Sequence, residues 1–369
     1  KAMNKSSKAL VGMDVHKESI DWAVAEFDGE VRSCGRTGGD LSAVARTVRK
    51  LVASGQTVVF VYEAGPCGFG IHRWLQAHGH ECWVVSPSLT PKKPGERIKT
   101  DARDAVKLAR LARAGELTAI YVPEAADEAL RDLVRAREDA VAMQRQARHR
   151  LQALLLRNDI RYVGKTAWTP AHQRWIARLK LPHAPRQIAF EEYVQAVQEA
   201  TTRIDRLTAA IQAAVSTWRW QPVVAALQAM RGVQLIHAVR IVAELGDLTR
   251  FGTPRAMMGF LGLVPTEHSS GSKRAQGAIT KAGNSSARRA MVEAAWAYQH
   301  PARITPIIAR RQGGVPKIVL DIAWKAQLRL CARFRKLAIR GVNRNKLVVA
   351  VARELAGFVW AIGQQVRPV

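Results

Sequence analysis

The chain has 369 residues, and 57 lysines and arginines against 30 acidic residues give a formal net charge of +27. A hydrophobic fraction of 48% is typical of folded proteins and excludes a chain that is disordered throughout. So positive a charge favours an anionic polymer as the partner, because each neutralised phosphate releases counterions. A merely basic enzyme is the alternative.

The compartment is indicated by cysteine usage and by hydropathy. Four cysteines lie far apart without a C-x-x-C pair, which argues against a zinc ribbon or a disulfide framework and fits a reducing compartment. The most apolar stretch near the end, residues 347–363, is interrupted by Arg353 and Glu354, so no membrane span is expected. The first residues lack the apolar run of a signal peptide. These features predict a cytoplasmic protein without a membrane partner.

The first 120 residues predict an α/β domain. Apolar runs bounded by turn residues predict three strands, a helix, a strand, a helix, a strand, a loop and a helix, in that order. The predicted strands are Ala9–Val15, Ile20–Phe27, Val31–Arg36, Thr57–Tyr62 and Cys82–Val85, and the predicted helices are Leu41–Val52, Gly68–His78 and Asp101–Ala114. This order is the one expected of a ribonuclease-H-like fold.

The remaining residues predict helices. Residues 121–220 read as a coiled-coil arm, with one helix over residues 124–157, another over residues 188–215, and an irregular insert over residues 158–185. The charged outer faces of the arm fit solvent or nucleic acid equally well. Residues 221–369 read as an all-α, strongly basic domain, since they hold 23 basic and 6 acidic side chains.

Acidic residues fall where the predicted strands of the first domain end and where its last helix begins. Asp14 ends the first strand, Glu63 follows the central strand, and Asp101 and Asp104 share one face of the last helix. Four carboxylates at one sheet edge would repel one another, and Mg²⁺ or Mn²⁺ would relieve that repulsion and suit phosphoryl transfer. Taken singly, the helix acids also suit capping, and the strand acids suit a turn or an ion pair.

A second segment, residues 262–289, combines small residues, hydroxyls and cations. Such a composition suits close approach to a phosphodiester backbone. A serine in this loop either contacts phosphate or, if a base or metal activates it, attacks phosphate as a nucleophile. The candidate nucleic-acid-binding residues are Lys273, Arg274, Lys281, Arg288 and Arg289.

These two segments resemble the Piv/MooV invertases and the DEDD transposases of the insertion sequence 110 family, also called bridge-RNA-guided recombinases. The resemblance spans nearly the whole chain, with two motif sets in the expected order. The matching motifs are 11–17 (VGMDVHK), 62–65 (YEAG), 99–105 (KTDARDA), 260–265 (FLGLVP), 269–271 (SSG), 279–284 (ITKAGN) and 288–289 (RR).

The resemblance implies a RuvC-like N-terminal domain, a C-terminal transposase domain and a two-part chemistry. The family's four metal-binding acids map onto Asp14, Glu63, Asp101 and Asp104. The family's serine nucleophile, which forms a phosphoserine link to DNA, directly precedes a glycine and so maps onto Ser270, with Ser269 as the fallback. The implied partners are donor and target DNA, a noncoding bridge RNA that chooses the sequence, and further copies of this chain in a homodimer or homotetramer.

Two other functions use the same residues. A RuvC-like nuclease, either structure-specific or RNA-guided, would need the acids and cut by water attack without the serine. A non-catalytic nucleic-acid-binding protein would need neither set. The recombinase remains the leading hypothesis, because it alone uses both the acids and the serine, and it would act in the bacterial cytoplasm at the nucleoid.

Overall fold

The computed structural model describes residues 8–26, 29–53, 55–91, 100–267, 270 and 275–369. The chain divides into two compact units, Lys1–Pro123 and Glu124–Val369. The predicted C-terminal domain and the predicted arm, except for its residues 121–123, fall within the second unit.

The first unit is a mixed α/β structure. Its strands are β1 (Ala9–Val15), β2 (Ser19–Ala25), β3 (Arg32–Gly38), β4 (Val58–Glu63) and β5 (Glu81–Val85), and its helices are α1 (Leu41–Val52), α2 (Gly70–Ala77) and α3 (Asp101–Arg113). The sheet order is β3-β2-β1-β4-β5. β1 to β3 pair antiparallel, whereas β4 pairs parallel to both β1 and β5.

Both faces of this sheet are covered. On one face Trp22, Phe60 and Tyr62 pack with side chains of α1 and α2 in a fully buried cluster. On the other face α3 contributes Ala105 and Leu108 to the buried clusters. β1 and β4 are adjacent and parallel, so the residues at their carboxyl ends lie close together at one edge of the sheet.

The predicted order of elements in this unit is confirmed, with small differences in their bounds. β2 ends at Ala25 instead of Phe27, and β3 extends to Gly38 instead of Arg36. Phe27 and Asp28, in the predicted hairpin turn, lie outside the described residues. The prediction of an α/β N-terminal region followed by a mostly helical remainder is therefore confirmed.

The second unit is mostly helical. Its helices are α4 (Ala125–Arg157), α5 (Pro170–Arg178), α6 (Ala184–Val215), α7 (Gln221–Leu227), α8 (Leu235–Leu245), α9 (Pro254–Phe260), α10 (Ser285–Ala295), α11 (Pro306–Arg311), α12 (Lys317–Ile339) and α13 (Arg344–Gly363), and its strands are β6 (Pro265–Glu267) and β7 (Gln276–Ile279).

The arm is an antiparallel pair of long helices. Arg137 of α4 donates to Thr208 of α6, and Gln144 of α4 donates to Thr201. The later residue of α4 contacts the earlier residue of α6, so the two helices run antiparallel. The prediction of an irregular insert is partly wrong, because residues 170–178 form α5 and α6 begins at Ala184. Thr169 starts α5 by accepting a hydrogen bond from the His172 amide, and Pro170 supplies the fixed φ that suits a first helical turn.

The remaining helices of the second unit form one core around α13. Leu347, Val351, Leu355 and Val359 of α13 are almost fully buried, and their spacing of four residues keeps them on one side of the helix. They join buried side chains of α7, α8, α10 and α12 in a single cluster. Among the described residues, no helix is both long and apolar enough to cross a membrane.

Candidate active site

Two of the predicted acids converge at the end of β1. The Nε2 atom of His16 lies 3.1 Å from an Asp14 carboxylate oxygen and 3.5 Å from an Asp101 oxygen. One ligand atom from each of these three residues lies within 4.8 Å of the other two. Asp14 comes from β1 and Asp101 from the first turn of α3, so residues 87 positions apart in the chain share one site.

Gly12 lets α3 approach β1 this closely. A Cβ at Gly12 would overlap the carbonyl oxygen of Ala105 and lie 2.6 Å from the backbone nitrogen of Ala109. Alternate residues of a strand share a face, so Gly12 and Asp14 both face α3. Thr100 then begins the helix by accepting a hydrogen bond from the Arg103 amide, which places Asp101 and Asp104 in its first turn.

Glu63 and Asp104 flank this group. Glu63 ends β4, and because Met13 pairs with Tyr62 in the parallel register, Glu63 comes level with Asp14. Asp104 lies one helical turn beyond Asp101 on the same face of α3. Both side chains are half-buried. In the described part of the chain, the three mutually close ligand atoms are those of Asp14, His16 and Asp101, without Glu63 or Asp104.

The electrostatics of Asp14 reflect this crowding. Burial raises the pKa of the Asp14 carboxyl, and the negative charges of Asp104 and Asp101 raise it further. The hydrogen bond and charge of His16 act in the opposite direction without cancelling the effect. The site therefore disfavours its own full ionisation, which a nearby cation would reverse.

An ion-paired arginine beside the site was not anticipated from the sequence. Arg36 of β3 donates from Nε to Asp21 at 2.9 Å and from Nη2 to Asp101 at 2.7 Å. Asp21 lies opposite Asp14 in the β1–β2 register, and its side chain is 7% exposed. The available signal was an aspartate inside an otherwise apolar strand, Ile20-Asp21-Trp22, at the position that pairs with Asp14.

The donor set suits a hard divalent cation. Carboxylate oxygens are the ligands that Mg²⁺ and Mn²⁺ prefer, and one oxygen of Asp14 and one of Asp101 lie within 4.8 Å of each other. Asp14 is 21% exposed and Asp101 39% exposed, so both remain accessible to an ion from solution.

The second unit holds the serine. Ser270 is exposed and lies between β6 and β7 in the chain. These two strands pair antiparallel, with Pro265 opposite Ile279 and Glu267 opposite Gln276. Ser269, Lys273 and Arg274 lie outside the described residues.

The base of this hairpin is held by close backbone packing. Gly262 and Gly283 both have positive φ, and a Cβ at Gly262 would lie 2.6 Å from the Ala282 nitrogen. Arg288 donates from Nη1 to the carbonyl oxygens of Leu261 and Ala282 at 2.9 and 3.2 Å. Its guanidinium therefore clamps the two ends of the hairpin together.

Two other predicted nucleic-acid contacts remain exposed. Lys281 follows β7 by two residues, with a positive φ of 55°, and Arg289 lies in the first half of α10. Both side chains reach solvent. Lys281 and Arg289 are thus accessible to a partner, whereas Arg288 already has backbone acceptors.

A buried ion pair fixes the start of α10 behind the hairpin. Arg135 of α4 donates to both carboxylate oxygens of Glu244, at 2.8 and 2.9 Å, and the Glu244 side chain is fully buried. Asn284, which caps α10, donates to the same carboxylate at 2.6 Å. The arm helix, α8 and the hairpin base are thereby tied to one carboxylate.

The chain resembles known transposases over most of its length. Family models of IS110-type DEDD transposases and of the transposase IS116/IS110/IS902 family match residues 11–158 and 224–306. The chain is 46% identical to y4qE, a transposase candidate of Sinorhizobium fredii, over 98% of this chain and 90% of that protein. It is 30% identical to the transposase for insertion sequence element IS1533 of Leptospira borgpetersenii, over 89% and 96% of the two chains.

These matches define the chain as a transposase, an enzyme of DNA recombination. It belongs to the IS110 family of insertion-sequence transposases.

Proposed function

We propose that the protein is a site-specific DNA recombinase that joins donor and target DNA through a phosphoserine intermediate on Ser270. The observation that carries this proposal is the convergence of Asp14 and Asp101 beside β4 in a chain that also exposes a serine between β6 and β7. The sheet order of the first unit supports a ribonuclease-H-like, RuvC-like catalytic domain.

Asp14, Glu63, Asp101 and Asp104 would hold Mg²⁺ or Mn²⁺. Bound there, the cation would polarise the scissile phosphate and stabilise charge on its oxygens. Asp14 and Asp101 supply the nearest carboxylates, and Glu63 and Asp104 flank them from β4 and α3. Arg36 holds the Asp101 carboxylate in place, and His16 does the same for Asp14.

The serine step balances without an external energy source. The Ser270 oxygen forms a bond to the scissile phosphorus and its proton passes to a base or solvent, while the bond from phosphorus to the DNA 3′ oxygen breaks and that oxygen takes up a proton to leave as a 3′-hydroxyl. A 3′-hydroxyl then attacks the phosphoserine, re-forms a phosphodiester and releases the serine. One phosphoester bond is exchanged for another at each step, so no high-energy cofactor is required.

We further propose that a noncoding bridge RNA from the element selects the donor and target sequences, and that the protein works as a homodimer or homotetramer in the bacterial cytoplasm at the nucleoid. The net charge of +27 supports a large nucleic-acid partner. In such a system base pairing reads the sequence, and the protein mainly contacts backbone and shape.

The test is a covalent-adduct assay with the full chain, donor DNA, target DNA, Mg²⁺ and RNA transcribed from the DNA that flanks the gene. Denaturing gels should show a protein–DNA adduct that disappears with Ser270→Ala. Ser285→Ala is the matched control, since Ser285 is also exposed and begins α10. Ser269→Ala tests the fallback nucleophile.

Three other outcomes would change the proposed function or its residues. An adduct lost with Ser269→Ala but kept with Ser270→Ala would move the nucleophile by one residue. DNA cleavage that persists in both variants would indicate water attack by a RuvC-like nuclease. Activity insensitive to EDTA and to Asp14→Asn would remove the catalytic role of the acids altogether.

A further inference from the structure

A cavity is lined by residues of α4, α5 and α6, none of which belongs to the candidate active site or to the β6–β7 hairpin. We define the arm tip as residues 145–202, which include the end of α4, all of α5 and the first part of α6. The cavity measures about 350 Å³, within the range of about 300–1,000 Å³ typical of small-ligand sites. Its apolar side is formed by the buried residues Leu151, Ile176 and Val197.

One wall of the cavity consists of two planar groups. The guanidinium carbon of Arg148 lies 4.7 Å from the centroid of the Trp168 ring, and both residues line the cavity. His172 and Trp175 stack behind them with ring centroids 5.4 Å apart. Unpaired nucleobases stack on aromatic rings and on arginine planes, so this wall matches the shape and chemistry of a base.

Trp168 is held in an unusual backbone conformation. Its φ of +65° is rare for a bulky residue and costs free energy. The Trp168 amide donates to Nδ1 of His172 at 3.1 Å, and burial lowers the pKa of His172, which keeps that nitrogen available as an acceptor. The indole is therefore fixed in place before any ligand arrives.

Two amide side chains also line the cavity, and the arm tip carries a net positive charge. The exposed amides of Gln173 and Gln198 line the cavity and make no side-chain hydrogen bond within the described part of the chain. An amide can both donate to and accept from the edge of a base. The arm tip contains ten arginines and lysines and four acidic residues, so its net charge is positive and phosphate groups on either side of a bound base would be attracted.

We propose that the arm tip binds one unpaired nucleobase of a single-stranded nucleic acid, stacked against Trp168 and Arg148 with its edge towards Gln173 and Gln198. This site rests on the proposed function only in requiring a nucleic-acid partner. An acidic peptide would satisfy the cations but would leave the aromatic wall unused, so its binding would not depend on Trp168.

The experiment measures binding of the full chain to fluorescein-labelled ten-nucleotide RNA, DNA of the same sequence, and the matching DNA duplex. Trp168→Gly removes the ring and suits the positive φ, so the loop keeps its backbone path. Arg148→Lys keeps the charge but loses the plane. Arg157→Ala is the matched control, because it removes an exposed charge from the same helix outside the cavity.

Fluorescence anisotropy should show that Trp168→Gly weakens single-strand binding about tenfold, the scale of losing one stacked base, and leaves duplex binding unchanged. Arg148→Lys should weaken single-strand binding several-fold. Arg157→Ala should weaken both by the same small factor. Whichever of the single-stranded RNA and DNA binds more tightly identifies the kind of strand that supplies the base. Crosslinks from 4-thiouridine should map to residues 162–176.

Unchanged single-strand binding by Trp168→Gly, with wild-type circular dichroism, would overturn the site. Fluorescein-labelled polyglutamate serves as the acidic-peptide probe. Equal losses for single strand, duplex and polyglutamate would also overturn the site, since they would reduce the arm tip to a charged surface. A wild-type chain that binds no nucleic acid would instead contradict the proposed function itself.

Discussion

The carbonyl oxygen of Ala105 packs directly against Gly12, with no room between them for a Cβ. Ala105 lies in the second turn of α3 and Gly12 in the middle of β1, so this contact sets the distance between helix and strand. Asp101, one turn earlier in α3, comes beside Asp14, two residues later in β1. The site thus depends on a residue without a side chain.

Replacing Gly12 by alanine should separate the acids. The new methyl group would push α3 from β1, at a cost of about 1–3 kcal/mol for an overpacked core. We expect a lower melting temperature, weaker Mn²⁺ binding by calorimetry and little recombination. Gly70→Ala is the matched control, because nothing lies within 4 Å of a Cβ there and helix α2 favours alanine.

Weaker metal binding by Gly12→Ala should therefore accompany the stability loss. Wild-type Mn²⁺ affinity in a folded Gly12→Ala variant would show that α3 does not need this contact to position Asp101.

The Arg36 bridge gives a second prediction. Arg36→Ala leaves the Asp21 carboxylate buried without its partner, which should cost about 3 kcal/mol in unfolding free energy. Water that enters the space left by the exposed Arg36 side chain would solvate the carboxylate and reduce this cost. Denaturant unfolding measures this. Arg32→Ala, on the same strand, removes a solvent-exposed pair with Glu26 and should cost less than about 1 kcal/mol.

Similar losses for the two arginine variants would mean that Asp21 finds another partner. A large loss for Arg36→Ala combined with normal metal affinity would confine Arg36 to a stabilising role and remove it from the positioning of Asp101.

Much of the first unit could be predicted because its strands are short apolar runs separated by turn residues, a pattern set by local sequence. The convergence of Asp14 with Asp101 could be proposed from strand ends and helix starts. The Arg36 contacts could not, because they depend on how β3 pairs with β2. Asp21 within an apolar strand signals a partner, but the register shift between Trp22 and Ala23 hides which residue of β3 that partner is.

The second unit was harder to predict for the same reason. The long arm helices have clear apolar spacing, but α5 contains Trp, His and Pro, whose positions show no helical periodicity of apolar residues. Its order comes from aromatic packing with residues outside the helix, such as Tyr162 against His172. The clamp by Arg288 was likewise hidden, since an arginine in a basic loop is equally suited to phosphate.

Asp14→Asn should make the metal-free protein more stable at neutral pH. The pKa of the Asp14 carboxyl is raised in the folded state, so between the ordinary and the raised pKa the folded chain holds a proton that the unfolded chain has released. The free energy of unfolding therefore falls as pH rises through this range. The neutral amide removes this penalty. Thermal unfolding in EDTA should show the variant above the wild type at pH 7, with the difference vanishing below pH 3.8, the ordinary value for aspartate.

Added Mg²⁺ should reverse the order of the two proteins. The wild type gains stability by mass action from a ligand that binds only the folded state, whereas Asp14→Asn gains little. Equal stabilisation of both would show that the cation binds elsewhere. Recombination should fall to background in the variant regardless of its stability.

The Arg135–Glu244 pair gives the last prediction. Burial alone would raise the pKa of Glu244, but hydrogen bonds from Arg135 and Asn284 and the nearby positive charges hold it below its ordinary value of 4.5. Wild-type stability from this pair is therefore complete above pH 4.5 and is lost as pH falls through the lowered pKa. Arg135→Ala leaves the buried Glu244 carboxylate with the Asn284 hydrogen bond but without its ion-pair partner, and should cost about 3 kcal/mol at neutral pH.

This cost should shrink on acidification, because protonation of Glu244 removes the unpaired charge in the variant while it weakens the pair in the wild type. Urea unfolding at pH 7 and pH 4 measures the change. Arg161→Ala, which removes an exposed pair with Asp159, should show a small cost at both values. Because Glu244 also accepts from Asn284 at the start of α10, a pH-independent cost would mean that the hairpin base, and not the charge pair, determines the loss.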